Sequence, residues 1–435
     1  MALRKPPVGL EPASIHPAGD PGIRWQSYSC ELVTPLYGGG VTAGVVDEAM
    51  PIRASSIRGQ LRFWWRLLAK HKYGFKGDDL RNREFELWGG LGDEVHASKV
   101  WLKVTAVSKP SIEAWAEYTG KRIPDPKDWA NAAYALFPGQ GKKPGLPDSS
   151  DPASLVKPGL KWTLCLGWNS DLAQSEQMMV LETLRWWASF GGLGARNRRG
   201  LGAVFVTNLA PVSAPEVTLA ACRLVFSGSA SANPLKAWQD AVAKLKAFRQ
   251  DENIGRNPQG AGSSRPGRSR WPEAASIRVA AGQHRVKQDG TSFAPPAGTP
   301  ALYPRAAFGL PIVFHFQGER GDQRGDPVDV ILEPGECNGK RSERMASPLI
   351  LHPYLLENGK WQAAALLLPS CLTEHQPLAL RRGVSLLASG HLMPKDATEQ
   401  LFMPANSPMK GRGEGALNAF LHFFEGSAPI RGGEK

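Results

Sequence analysis

Cysteine is scarce: five in 435 residues (Cys30, Cys165, Cys222, Cys337, Cys371), an odd number, far apart and with no C-x-x-C pair. That excludes a dense disulfide framework and a cysteine-built zinc site, and it suits a reducing cytoplasm. Long apolar runs are missing too. No stretch approaches the ~18 uninterrupted apolar residues of a membrane span, and the run at 363–368 stops at Pro369. The opening MALRKPPVGLEPASIHPAGD lacks an apolar h-region, so no secretory leader is expected. There is no H-x-E, H-E-x-x-H or D-x-D cluster and no G-x-S-x-G or G-x-x-x-x-G-K-[ST], so neither a metal nor a cofactor is expected. Acidic residues are the minority, 40 against 52 Lys+Arg, which leaves a formal net charge of +12. Such an excess favours polyanionic partners, nucleic acid above all, because phosphate contacts release counterions.

Hydrophobic residues at 42% and aromatics at 9% are enough for a sizeable core, and the length suits two or three domains. Residues 24–36 (RWQSYSCELVTPL) read as a strand. After Gly38, Gly39 and Gly40 comes SSIRGQLRFWWRLLAKHK, a helix to about Lys72 with Ser55 or Ser56 as N-cap and Ile57, Leu61, Trp64 or Trp65, and Leu68 as its apolar face. Residues 99–107 and 161–168 alternate as strands, and the stretch 138–159, with five prolines, reads as a surface excursion. A helix over 175–190 ends at Gly191 and Gly192, and 202–208 closes the unit as a strand. The order β-α-β-β-α-β is the ferredoxin-like or RRM arrangement.

The second half carries an amphipathic helix at 234–249 and a closing helix at 415–424. Between them lie strand candidates at 276–280, 310–316, 328–332, 347–354 and 363–368. Residues 253–270 hold four arginines, four glycines and no acid, so they read as a flexible basic loop. The expected organisation is α+β. An N-terminal RRM-like domain covers 22–212, with an insert at about 109–159 and a glycine-rich loop at 191–202. A C-terminal RRM-like domain covers 213–435.

Three constellations stand out. Arg58, Arg62 and Arg66, continued by Lys70, lie at i, i+4, i+8 and form one basic stripe on the first helix. No acid lies between Asp47–Glu48 and Asp78, so the stripe suits phosphates spaced along a backbone; a solvated face or pairing with distant acids is the other reading. The second is GGLGARNRRGLG, with five glycines (Gly191, Gly192, Gly194, Gly200, Gly202) and three arginines (Arg196, Arg198, Arg199) between a helix and a strand. Glycines let backbone N–H groups approach a polyanion, and arginines add bidentate forks; the plain alternative is a mobile basic loop. The third is Arg268, Arg270, Trp271 and Arg278, where an indole among arginines suits stacking of single-stranded RNA bases or else anchors the basic loop. Trp64, Trp65, Trp186 and Trp187 fit core positions.

SSIRGQLRFWWR followed by GGLGARNRRGLG resembles the RAMP superfamily of CRISPR effector subunits, whose hallmark is this glycine-rich loop. RSRWPEAASIR, AFGLPIVFHF and ERMASPLILHP in the second half are similar to the first-numbered, two-RRM branch of the type III-B (Cmr) complex. The resemblance implies two ferredoxin-like domains and a non-catalytic RNA-binding subunit. It would sit near the guide RNA (crRNA) 3′ region and help capture single-stranded target RNA in antiviral defence. Implied partners are the guide, the target, and other RAMP subunits, especially the backbone and small subunits, with no membrane. Arg53, Ser55, Ser56, Arg58, Arg62 and Arg66, the loop residues Gly191, Gly192, Gly194, Arg196, Arg198, Arg199 and Gly200, and Arg268, Arg270, Trp271 and Arg278 form the candidate RNA-binding set. Two rivals stand beside it: an endoribonuclease using His71 or Asp47, and a scaffold whose basic surface meets acidic subunits.

Overall fold

The computed structural model describes residues 22–426 except 43, 92–94, 122, 130–131, 146–147, 261–266, 287–289, 291, 293, 296–301, 317–324, 337–341, 370–376, 384, 392–406 and 413–414. The first unit is built from strand β1 (Ile23–Leu32), helices α1 (Ala54–His71) and α2 (Gly77–Trp88), strands β2 (Val100–Thr105) and β3 (Lys161–Asn169), helix α3 (Gln174–Phe190) and strand β4 (Val204–Val206). The sheet order is β4-β1-β3-β2, all antiparallel. β1 and β2 both run against β3, so α1 is a crossover between two strands of the same sense. This is the ferredoxin-like arrangement expected from sequence.

Alternation places Trp162, Leu164, Leu166 and Trp168 of β3 on the helix-facing side, where all four are buried. Opposite them come Ile57, Leu61, Trp64, Trp65 and Leu68 of α1 and Val180, Leu184, Trp187 and Phe190 of α3. The four helix tryptophans are core residues, as their spacing implied. α1 begins without a side-chain cap, at Arg53, so Ser55 and Ser56 lie in its first turn rather than at the N-cap. The proline-rich stretch is more than a surface excursion. Its strand Ser154–Val156 pairs with Leu36–Tyr37 and with Ile112–Ala114, and buries Leu155 and Val156.

The second unit repeats the plan. Strand β5 (Arg223–Ser231), helix α4 (Pro234–Gln250), strands β8 (Leu349–Leu355) and β9 (Trp361–Leu367) and helix α6 (Gly415–Glu425) give a sheet of order β5-β9-β8, the 1-3-2 portion of a ferredoxin-like sheet. Two insertions supply helix α5 (Glu273–Ala281) and a second sheet, in which strands β6 (Ile312–Phe314), β7 (Val330–Pro334), β10 (Pro377–Arg382) and β11 (Ser385–His391) follow in that order. The strand expected at 276–280 is instead α5. Its EAASIRVAA run has helix-forming flanks and ends on Gly282 in the left-handed conformation. No described helix is long and apolar enough to cross a membrane.

Candidate nucleic-acid interface

The α1 stripe is partly neutralised from a neighbouring helix. Arg62 Nε and Arg66 Nη1 both donate to Oε1 of Glu84 on α2, at 2.8 and 2.7 Å. Glu84 is buried, while the Arg66 side chain keeps 46% exposure. Arg58 Nη1 donates to Ser98 Oγ at 2.7 Å and to the Trp88 carbonyl, both neutral, and Lys70 stands exposed. The distant-acid reading therefore applies to Arg62 and Arg66, yet that pair shares one carboxylate, Arg58 and Lys70 meet none among the described residues, and the stripe stays net positive. Arg53 is matched: its Nη2 lies 2.6 Å from Asp47 Oδ2, and Asp47 also accepts from the Met50 N–H. The Met50 N–H first, and then the Arg53 guanidinium, hold the Asp47 carboxyl below its usual range. His71, half-buried beside Lys70, is pushed down by burial and then by that ammonium.

The glycine-rich loop is a packed seam, not a mobile loop. Its backbone N–H groups point largely into the protein: Gly191 to Trp187 O, Leu193 to Gly202 O, Ala195 to Tyr37 O, Gly200 to Asn197 O and Gly202 to Pro35 O, all within 2.7–2.9 Å. The N–H groups of Gly191 and Gly200 are thus not offered to a polyanion, which corrects the expected anion cradle. The glycines answer to close approach. At Gly202 (φ +68°) a Cβ would stand 1.9 Å from Leu193 O, and at Gly200 (φ +77°) 2.5 Å from the Trp238 ring. Gly192 and Gly194 lie in the same loop.

The three loop arginines reach carbonyls, the Ser347 hydroxyl and a ring. Arg196 Nε donates to Ala135 O at 3.2 Å. Arg198 donates to Ser347 O and lies 5.4 Å from the Phe63 ring centroid on α1. Arg199, 7% exposed, donates to Leu349 O and Phe308 O at 3.1 and 3.2 Å, and Trp238 Nε1 donates to the Arg199 carbonyl at 2.8 Å. None of the three has a carboxylate partner among the described residues. Burial first, and then the neighbouring guanidinium of Arg196, holds Arg199 down to about 9; burial lowers Arg196 and Arg198 as well. A recess of about 210 Å³, lined by Gln60, Phe63, Trp64, Asn197 and Arg198 among others, separates α1 from the loop. α1 and the loop are therefore brought together.

The third constellation does not form a stacking surface. Trp271 is 2% exposed, packs edge-on against Phe248 and donates from Nε1 to Arg249 O at 3.2 Å. No indole face is left for a base, and the residue anchors the loop instead. Arg270 is tied to Asn257 Oδ1 and Asn253 O, and Arg278 forms a two-toothed pair with Asp326 at 2.7 and 3.0 Å. Arg268 is lowered by burial and then by Arg278, while its carbonyl accepts from Asn257 N–H. Glu84 and Asp326, the two acids that recast these arginines, gave no local sequence signal, because both pairings are tertiary.

Residues 29–205, which carry the ferredoxin-like unit and its glycine-rich arginine loop, match the model of the RAMP superfamily. The chain is similar to "CRISPR system Cmr subunit Cmr1-1" of Pyrococcus furiosus, with 28% identity over 161 residues. That match covers 36% of this chain and about two fifths (41%) of the relative's length. Among solved structures, the crystal structure of Cmr1 from Pyrococcus furiosus (apo form) aligns with 81% of this chain and 91% of that one, at 16% identity and a TM-score of 0.42. A type III-B Cmr-beta complex bound to cognate target RNA has a chain that aligns with 52% of this one and 62% of its own length, at 14% identity and a TM-score of 0.28.

Proposed function

We propose that this chain is a non-catalytic RNA-binding subunit of a type III-B CRISPR effector complex, one that contacts the guide RNA 3′ region and helps capture target RNA. The observation that carries the reading is a concentration of unmatched positive charge. Arg196, Arg198 and Arg199 meet no carboxylate among the described residues, and Arg198 reaches α1, where Arg62 and Arg66 share Glu84 while Arg58 and Lys70 meet no carboxylate among the described residues. Like charges held this close repel, and a polyanion relieves the repulsion while releasing counterions. The name of the curated relative, a Cmr subunit, and the RAMP match support the assembly. Contact falls to the exposed groups, Arg66 and Lys70 first, with Arg62, Arg196 and Arg198 half-buried beside them. Arg199 holds the loop in place. Sequence would be read by base pairing rather than by the protein.

The test is affinity of the isolated chain for single-stranded RNA and for a guide–target duplex across a salt series, with cleavage products followed on the same gel. Steep salt dependence without cleavage supports the capture subunit. Cleavage lost in His71→Ala or Asp47→Ala would replace it with a nuclease, and negligible RNA binding would leave the scaffold reading.

A further inference from the structure

The sheet of the first unit has a second face, turned away from α1 and α3. Alternation assigns to it Trp25, Ser27, Ser29 and Glu31 of β1, Trp101, Lys103 and Thr105 of β2, Lys161, Thr163, Cys165 and Gly167 of β3, and Phe205 of β4. Trp25, Ser27, Ser29, Lys103 and Lys161 are exposed, whereas Phe205 at the β4 edge packs against Trp361 of the second unit, so the face is open over β1, β3 and β2. Its one carboxylate, Glu31, is 3.8 Å from Lys161, which leaves Lys103 without an acid on this face.

Two tryptophans on this face share one row. Trp25 pairs with Gly167, and Gly167 pairs with Trp101, so the indoles flank a glycine on the central strand between them. A Cβ at Gly167 would stand 2.7 Å from Cε3 of Trp25; glycine there lets that ring lie down across the sheet. Lys103 Nζ rests 4.2 Å from the Trp25 ring centroid. Trp25 stays 37% exposed and Trp101 half-buried, so two indoles and an unmatched ammonium converge on the open side of a four-stranded sheet. Flat rings for bases beside a cation for phosphate are what a single-stranded nucleic acid needs, and what an apolar protein partner does not.

We propose that the Trp25–Gly167–Trp101 row with Lys103 is a second RNA-binding surface, on which bases of a single strand stack while Lys103 meets the phosphate between them. This rests on the capture reading above and adds to it a surface separate from the arginine stripe. The experiment uses the full chain and single-stranded RNA carrying 4-thiouridine. Trp25→Ala and Trp101→Ala should each weaken binding by about 5- to 150-fold, the range for losing one stacked base, with the salt slope unchanged. Trp25→Phe should keep most of the affinity, and Lys103→Ala should lower the slope by ~0.7 log–log units. Crosslinks should map to the peptides that carry Trp25 and Trp101. Wild-type binding that both alanine variants retain would overturn this proposal and leave the arginine-stripe reading standing. So would retained RNA affinity with loss of a neighbouring subunit, which would make the face a protein dock. No RNA binding by the wild type would sink both.

Discussion

His352 Nε2 stands 2.9 Å from the carbonyl oxygen of Gly191, linking β8 of the second unit to the first residue of the glycine-rich loop. Nδ1 of the same ring is 2.8 Å from Pro353 O, and a neutral imidazole can donate to only one of the two. Burial dominates over both carbonyls and pulls His352 from its ordinary 6.5 down to about 4. The unfolded chain therefore takes up this proton below pH ~6.5, whereas the native protein holds off until pH ~4. Stability should fall as pH drops through that window, by about 3 kcal/mol at its lower end. Thermal melting from pH 7.5 to 4 checks this: His352→Gln, uncharged in both states, should flatten the profile. A steeper fall in the variant would mean that an imidazolium donating to both carbonyls is the native form.

Glu84 restrains the RNA-facing stripe. Glu84→Gln removes the one carboxylate shared by Arg62 and Arg66, so α1 gains a net positive charge while an acceptor remains. RNA affinity at low salt should rise and its salt dependence steepen. The melting temperature should drop, in line with loss of charge-assisted hydrogen bonds worth about 1–3 kcal/mol. Lower affinity in the variant would instead assign Glu84 the task of holding the two guanidinium groups in their binding pose.

The first unit was legible because its elements are patterned strongly. Ile57, Leu61, Trp64 and Leu68 mark one helical stripe, and Trp162, Leu164, Leu166 and Trp168 alternate through β3. α2 was missed: GDDLRNREFELW shows only four apolar residues in twelve, and its register comes from packing on α1. The five residues 276–280 suit either period, and context made them helix. The arginines of the candidate site were visible as residue types, but their partners were not. Ser347 and Leu349 lie about 150 positions from Arg198 and Arg199, and no local rule reports a carbonyl across a domain seam. Trp25 and Trp101 were overlooked for a related reason. Their strands were recognised, but which face each indole takes follows from the β1–β3–β2 register.

Gly200 and Gly202 test the seam directly. Each has positive φ, and a methyl group at either would run into Trp238 or into the Leu193 carbonyl. Gly200→Ala and Gly202→Ala should each destabilise the fold by about 1–3 kcal/mol from backbone conformation alone, and by more from the overlap. Gly145→Ala provides the contrast: it also has positive φ, with nothing within 4 Å of its Cβ, so only the conformational part should register. Equal melting shifts in all three would show that the loop relaxes around the added methyl.

Arg199 separates holding the loop from touching RNA. Arg199→Ala leaves the Phe308 carbonyl without its guanidinium donor and the Leu349 carbonyl with the Ser347 hydroxyl, at a cost of about 1–3 kcal/mol for a buried group left unpaired. Because Arg199 is only 7% exposed, the folded variant should bind RNA with the wild-type salt slope. Arg196→Ala with Arg198→Ala removes the half-buried pair and should lower the slope by up to ~0.7 log–log units for each phosphate of a single strand that is no longer neutralised. Replacing all three at once would merge an unfolding effect with a binding effect, so the two sets need to be measured apart, with melting curves beside each titration. A reduced slope in Arg199→Ala at full folding would mean that the loop opens when RNA arrives and that Arg199 leaves its carbonyls for phosphate.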